Sequence, residues 1–96
     1  MPPHSSLKLT VNFIKERNQV IAYSPALDIS TVGKTEAHAK QRFEELARIF
    51  LKDIVERNVT DEVLTELGWT KSSGRSKPKW IPPAVKSVDL QVLVAA

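Results

Sequence analysis

The sequence contains no cysteine, only one tyrosine and only three glycines. Without cysteine the chain forms no disulfide, no thiolate zinc site and no thiol nucleophile. No apolar run approaches the roughly 18 residues that a membrane-spanning helix needs, and the N-terminal sequence MPPHSSLK lacks the apolar region of a secretory signal. We therefore expect a cytoplasmic protein with no disulfide framework and no membrane span.

Acidic side chains are missing from one segment, and this absence explains the net charge of +3. Residues 1–66 carry nine basic and ten acidic side chains, whereas residues 67–88 carry five basic side chains and no acidic one. The five are Lys71, Arg75, Lys77, Lys79 and Lys86. The basic character is therefore a property of this one segment and not of the whole surface.

One long helical pattern runs from Thr35 to Arg57. At 100° per residue its apolar side chains fall on one stripe, and the charged side chains lie on the sides and back. The stripe consists of Ala39, Phe43, Leu46, Ala47, Phe50 and Ile54. Thr35 is a suitable N-cap and Glu36 lies in the first turn, where the helix dipole favours an anion. The sequence predicts an amphipathic helix that packs on a sheet.

Three short strands precede the helix. Alternating apolar and polar residues predict a half-buried strand over residues 7–14, and residues 19–24 predict the returning strand of a hairpin. In the turn between them, Asn18 is the residue that tolerates the left-handed conformation that three- and four-residue hairpin loops often need. Residues 29–32 predict a third strand, and Gly33 is expected to supply the bend into the helix.

The remainder of the chain is predicted to contain a short helix, a loop and a last strand. Thr60 is expected to cap the short helix of residues 60–68, which Gly68 would end. Residues 70–87 form a basic loop, and alternation predicts a C-terminal strand over residues 88–95. That strand pairs either within the chain or with another subunit, and the sequence leaves both alternatives open.

The order β-β-β-α-α-β predicts an α+β fold in a single domain of residues 1–96. We expect a three- to four-stranded antiparallel sheet with the one long amphipathic helix packed on a face. The β-β-β-α core would span residues 7–57.

Residues 22–54 resemble the HicB-like antitoxin family. The family pattern is a strand with a tyrosine, then a proline, a leucine, a short strand, a glycine, a threonine cap and a long amphipathic helix. In this sequence these features are Tyr23, Pro25, Leu27, residues 29–32, Gly33, Thr35 and the long helix. The preceding hairpin also fits, so the resemblance covers about half the chain. Each residue has a generic role, but their order and spacing together are unusual.

The resemblance implies a truncated RNase H-like fold without nuclease activity. It further implies a non-catalytic binding module, or an orphan relative of one, that neutralises a small, basic, mRNA-cleaving HicA-type toxin by occluding its active site. A ribbon-helix-helix DNA-binding domain needs a strand followed by two helices, and this order is absent after the long helix. A single-domain member is therefore expected. The residues expected to contact the partner are Tyr23, Ser24, Pro25 and Asp28.

The sequence offers no set of residues for catalysis. An RNase H-type nuclease needs several carboxylates around Mg²⁺, but the predicted strands contain only Asp89, and Asp28 lies in a turn. His4 and His38 have no clustered ligands, and Ser24 has no neighbouring general base. We therefore expect no enzymatic activity, no metal and no cofactor.

The alternative function is that of a small RNA-binding protein. Basic side chains would neutralise phosphates and a tryptophan would stack on a base. The residues concerned are Lys71, Arg75, Lys77, Lys79 and Trp80. The favoured interpretation is instead a solvated loop whose tryptophans, Trp69 and Trp80, are buried in the core.

Several apolar residues lie outside the predicted core. Ile49 and Val55 lie off the main stripe of the long helix, and Leu90 and Val92 belong to the predicted C-terminal strand. Either they contact other elements of the chain or they form a subunit interface. Because a free strand edge is also a route to self-association, we expect a homodimer or a higher oligomer.

Overall fold

The computed structural model describes residues 7–72 and 79–95. Its elements, in chain order, are β1 (Asn12–Glu16), β2 (Gln19–Ser24), β3 (Ile29–Gly33), α1 (Glu36–Glu56), α2 (Thr60–Glu66), β4 (Thr70–Ser72) and β5 (Lys79–Ile81). None of the helices in these described ranges is long and apolar enough to cross a membrane. The predicted α+β class is confirmed.

The main sheet has the order β1-β2-β3 with antiparallel pairing throughout, and α1 packs against β2 and β3. β4 and β5 form a separate two-stranded sheet. The core lies between the main sheet and the helices, and it includes Trp69, which follows α2. Its buried apolar residues are Ala22, Ala26, Leu27, Ala39, Phe43, Ala47, Ile54, Leu64 and Trp69.

Helix α1 begins and packs as its sequence predicts. The Thr35 side chain accepts a hydrogen bond from the backbone N–H of His38 at 3.1 Å, which confirms the N-cap. Four residues of the predicted apolar stripe are buried, and Leu46 and Phe50 are half-buried. Burying Phe43 and Ile54 contributes about 1.5–3 kcal/mol each. The helix is therefore held on the sheet mainly by this stripe.

Gly33 has a different role from the predicted one. It is the last residue of β3, and the bend into α1 is formed by Lys34 and Thr35. A Cβ atom at Gly33 would clash with the backbone nitrogen of Ala39. Only glycine therefore allows the first turn of α1 to approach the sheet this closely.

The first strand is shorter and later than predicted. Residues 7–11 are not in a strand, although Leu7, Leu9 and Val11 are half-buried and pack against the core as their alternation suggests. The pairing of Asn12 with Tyr23 explains this difference, because continuing the register would place the next residues opposite the end of β2 and then Pro25. Proline has no N–H to donate, so the ladder ends there.

The turn between β1 and β2 also differs from the prediction. Glu16 pairs with Gln19, which leaves a two-residue turn. Its left-handed residue is Arg17, with φ of 52°, and not Asn18. The prediction for Asn18 was wrong because it rested on residue preference alone, whereas the cross-strand register determines which turn residue adopts a positive φ.

Both helices end in Schellman motifs. After α1, Asn58 has φ of 57° and donates to the Val55 carbonyl, while the N–H of Val59 reaches the Ile54 carbonyl. After α2, Gly68 has φ of +94° and ends the helix as predicted. The predicted Thr60 cap is wrong: Val59 precedes the helix as N-cap, and the Thr60 hydroxyl donates to the Ile54 carbonyl at 3.3 Å.

Two predictions for the last third of the chain need correction. The basic loop of residues 70–87 is not entirely a loop, because its ends pair as β4 and β5; residues 73–78 lie outside the described residues. The C-terminal strand of residues 88–95 is not formed, and residues 82–95 have no regular structure. Alternation predicts the extended conformation, but a strand also needs a paired edge.

Candidate protein-binding surface

The register of the sheet assigns each side chain to one of two faces. Val20 pairs with Gly33, and Ala22 pairs with Thr31. These residues lie on the helix-covered face, because Ala22 is buried and Gly33 closely approaches α1. The intervening residues therefore point to the other side. We call this other side the outer face of the sheet.

An aliphatic row crosses the outer face on all three strands. Ile14 pairs with Ile21, and Ile21 pairs with Val32, so the three side chains are direct cross-strand neighbours. Ile14 is 50% exposed, Val32 is 41% exposed and Ile21 is half-buried. The row formed by Ile14, Ile21 and Val32 is an apolar surface on the side of the sheet away from α1.

Tyr23 lies on the same face, in the row next to the aliphatic one. It pairs with Asn12 and Ser30, so its ring is flanked by polar residues. Its hydroxyl donates a hydrogen bond to Oδ1 of Asp28 at 3.0 Å. This hydrogen bond, together with partial burial and the carboxylate charge, raises the pKa of Tyr23 above its ordinary value of 10.0. The hydrogen bond to the carboxylate requires the protonated phenol, which is the form that tyrosine has at physiological pH.

The turn that carries Asp28 is fixed from inside the protein. Asp28 adopts φ of 54°, and its N–H donates to the Ser24 carbonyl at 2.8 Å. Ala26 and Leu27 are buried, and the indole N–H of Trp69 donates to the Ala26 carbonyl at 2.8 Å. The turn of residues 25–28 is therefore held in one conformation by the core, which positions Asp28 beside Tyr23.

The four residues predicted to contact a partner do not all reach the surface. Tyr23 and Pro25 are half-buried and Asp28 is exposed, but Ser24 has no exposed surface. Ser24 lies on the helix-covered face with Ala22, and its hydroxyl has no hydrogen-bond partner within the described part of the chain. Its predicted partner contact therefore needs correction: as the chain stands, its side chain cannot touch a partner.

The basic segment is only partly described. The ammonium group of Lys71 lies 3.3 Å from an Asp61 carboxylate oxygen and 5.4 Å from the centre of the Trp80 ring. Lys79 is exposed, whereas Arg75 and Lys77 lie outside the described residues. Trp80 is half-buried and packs against the core. Lys71 is thus engaged with partners from its own chain.

A shallow groove borders the free edge of β3. It has a volume of about 310 Å³ and lies between the start of β3 and the two helices. Its lining is mostly apolar, with two acidic residues: Leu27, Asp28, Ile29, Phe50, Val63, Glu66 and Leu67. The groove offers space for aliphatic side chains beside the edge of β3 that has no partner within residues 7–72 and 79–95.

The residues predicted for an oligomer interface are all exposed. Ile49 is 65% exposed and Val55 is 38% exposed, both on α1. Leu90 and Val92 are 78% and 75% exposed in the segment that follows β5. Their predicted role remains a prediction.

Among the histidines and carboxylates considered for catalysis or metal binding, His38 has a structural role. His38 accepts a hydrogen bond at Nδ1 from the Lys34 N–H at 3.2 Å, so it supports the start of α1. His4 lies outside the described residues, and Asp89 is exposed. Within residues 7–72 and 79–95, no three His, Cys, Asp or Glu residues are grouped as metal ligands would be.

Sequence reasoning missed the aliphatic row on the outer face. Ile14 and Ile21 lie on opposite sides of a turn whose length the sequence did not fix, so their pairing was not apparent. The signal that was present is the two-residue spacing of Gln19, Ile21 and Tyr23, which places the isoleucine and tyrosine on one face.

Comparison of the chain with known protein families, curated proteins and solved structures finds no match.

Proposed function

We propose that this protein is a non-catalytic binding module of the HicB-like antitoxin type. It would act in the cytoplasm by docking on a small, basic, mRNA-cleaving toxin and occluding its active site. The observation that carries the proposal is the outer face of the sheet, where the exposed row Ile14, Ile21 and Val32 adjoins the Tyr23–Asp28 pair.

The composition of this face suits protein recognition. Protein interfaces have an apolar centre with a polar rim, and tyrosine is among the residues that contribute most to binding energy. Here the aliphatic row forms the centre, and Tyr23, Asn12 and Ser30 form one side of the rim. The Tyr23–Asp28 hydrogen bond orients the tyrosine before binding, which lowers the entropy lost on association.

Charge and backbone add two further features. Asp28 and Glu16 place carboxylates at the margins of the outer face, where a basic partner would be attracted. Among the described strands, β1 is hydrogen-bonded to β2 only, so its other edge would be available to a partner strand. Occlusion would then combine side-chain contacts on the face with main-chain contacts at the β1 edge.

The resemblance to HicB-like proteins supports the choice of partner. The order of three antiparallel strands, Gly33, the Thr35 cap and a long amphipathic helix agrees with the family pattern. The family's toxin-binding role comes to this chain through that pattern. The face and the edge identified above supply the surface that such a role requires.

The decisive experiment begins with purification of the tagged protein from its native cells and identification of bound proteins by mass spectrometry. One small basic protein near a one-to-one ratio is the expected result. The purified pair is then titrated by calorimetry, and cleavage of mRNA by the partner is measured with and without this protein. Inhibition of cleavage that saturates at one equivalent is expected.

Matched variants locate the surface. Ile14→Lys combined with Val32→Lys should weaken binding by about tenfold or more, because two cations would be desolvated on the aliphatic row. Ile49→Lys is the control, since Ile49 is also aliphatic and is 65% exposed but lies on α1. Equal loss in both variants, or a bound toxin whose nuclease remains active, would contradict occlusion by the outer face.

RNA binding is the second candidate, and one observation favours it. The Lys71 ammonium and the Trp80 ring lie side by side, which combines a cation with a stacking surface. The ion pair with Asp61 acts against it, because that carboxylate would repel a phosphate. This function would be supported if RNA, and no protein, were recovered from native cells. The RNA should then no longer bind to the double variant Lys77→Glu, Lys79→Glu.

A further inference from the structure

The segment of residues 88–94, which we call the tail, is the most exposed apolar part of the described chain. Its aliphatic residues are 60–100% exposed: Val88, Leu90, Val92, Leu93 and Val94. Val88, Leu90, Val92 and Val94 alternate with other residues, so an extended tail presents them on one face. The tail has no regular structure and no strand partner within the described residues.

The molecule is more extended than a compact chain of its length. The Cα radius of gyration is 16.3 Å, whereas a compact chain of this length has about 12.5 Å. The principal extents are 56 × 30 × 21 Å. The residues of the core and those packed against it all lie between Leu7 and Trp80, so the tail takes no part in the core.

The same chain has a strand edge and an apolar groove to which an extended aliphatic segment could bind. β3 is hydrogen-bonded to β2 only, so the other edge of β3 is free among the described strands. The apolar groove of about 310 Å³ lies at the start of β3, and Ile29, Phe50 and Val63 are among the residues that line it. An added strand with aliphatic side chains on one face would pair with the edge and fill the groove.

We propose that the tail of one copy binds the β3 edge and the groove of a second copy. Seven extended residues span about 23 Å at 3.3 Å per residue, and the five residues of β3 span about 17 Å. The tail is thus long enough to pair with the whole strand and to reach past it into the groove.

Symmetry and the match of apolar surfaces agree with a second copy as the occupant. The charged residues that line the groove are Asp28 and Glu66. Lys86 precedes the tail and Asp89 lies within it, so this segment carries no net charge and its aliphatic side chains would provide the attraction. Each chain has one tail and one groove, so two copies exchange tails reciprocally and both sites are filled in a closed twofold dimer. The proposal goes beyond the binding function above and does not depend on it.

The first test is the mass of the full-length protein by sedimentation equilibrium over a range of concentrations. A dimer is expected. Leu90→Lys combined with Val92→Lys should raise the dimer dissociation constant by at least about tenfold, because both side chains enter an apolar site. Gln91→Lys is the matched control on the opposite face of the tail and should leave the dimer unchanged. All three positions are exposed, and circular dichroism verifies that the variants fold.

The second test locates the binding site by cross-linking, which the absence of natural cysteine makes specific. Leu90→Cys and Val63→Cys proteins are mixed and oxidised, and a mixed disulfide dimer is expected. The double variant is oxidised at low concentration to detect an internal disulfide. A Gln91→Cys protein mixed with Val63→Cys serves as control and should cross-link less.

Each other outcome overturns the proposal. A wild-type monomer at all concentrations excludes the dimer, and an internal disulfide in the double variant without mixed dimers assigns the groove to the chain's own tail. A dimer that survives the double lysine variant has its interface elsewhere, for example at Ile49 and Val55. A toxin could still bind the outer face in any of these cases, so the two proposals fail separately.

Discussion

Tyr23 and Asp28 form a hydrogen-bonded pair whose strength can be measured through the pKa of the tyrosine. Because the hydrogen bond to the Asp28 carboxylate favours the neutral phenol, the pKa of Tyr23 is raised above 10.0 in the folded state. The stability that the pair contributes is therefore fully present below pH 10 and is lost as the pH rises through the folded-state pKa.

Replacing the carboxylate tests this assignment. Asp28→Asn should lower the pKa of Tyr23 towards its ordinary value, since the negative charge and the strong acceptor are removed. Asparagine also tolerates the positive φ of 54° at this position, so the turn is retained. Tyr23 is the only tyrosine, so its ultraviolet tyrosinate absorbance can be titrated without assignment. An unchanged midpoint in the variant would show that Asp28 does not control the phenol.

At Gly33 the end of β3 closely approaches the first turn of α1. Gly33→Ala should destabilise the protein by about 1–3 kcal/mol, because the new Cβ would meet backbone atoms of Ala39 that cannot rotate away. Ser30→Ala, an exposed position on the same strand, is the control and should change stability by less than about 0.5 kcal/mol. Urea unfolding gives both values, and equal values for the two variants would contradict the proposed close approach.

Single elements were predictable where their signals are local. The period of α1, its Thr35 cap and the Gly68 terminator are each encoded within a few residues, and all three are confirmed. Ends that depend on a distant partner were not predictable. The start of β1 is set by its register against β2 and by Pro25, and the Thr60 hydroxyl is used by the last turn of α1 and not by its own helix.

The end of α1 gives a prediction at this scale. Asn58 occupies the left-handed position of the Schellman motif, at φ of 57°. Asn58→Ala should reduce the free energy of unfolding by about 1–2 kcal/mol, because alanine gains no local hydrogen bond to offset the left-handed strain. Asn58→Gly should be neutral or stabilising, since glycine has no Cβ to strain. Thermal unfolding of the two variants measures the difference in their stability. Equal losses of stability in both would mean that the Asn58 side chain, and not the left-handed backbone, accounts for the effect.

The candidate site was accessible to sequence reasoning only in part, because it depends on the whole molecule. Tyr23 and Asp28 follow from the strand and turn pattern, and the structure brings them together. The aliphatic row depends on cross-strand register, and the burial of Ser24 depends on which face α1 covers. The tail was predicted as a strand because its alternation is a local signal, whereas its pairing partner is not encoded within the segment.

Exchange of tails makes stability depend on protein concentration, which is the prediction for the whole molecule. A folded dimer that unfolds to separate chains gains about 1.4 kcal/mol for each tenfold rise in concentration, so its Tm should rise with concentration. The variant with Leu90→Lys and Val92→Lys should unfold at a Tm independent of concentration, and this Tm should equal that of the wild-type protein at high dilution. Equality is expected because the core of each chain lies within Leu7 to Trp80 and needs no tail. A variant less stable than diluted wild type would mean that the tail packs on its own chain.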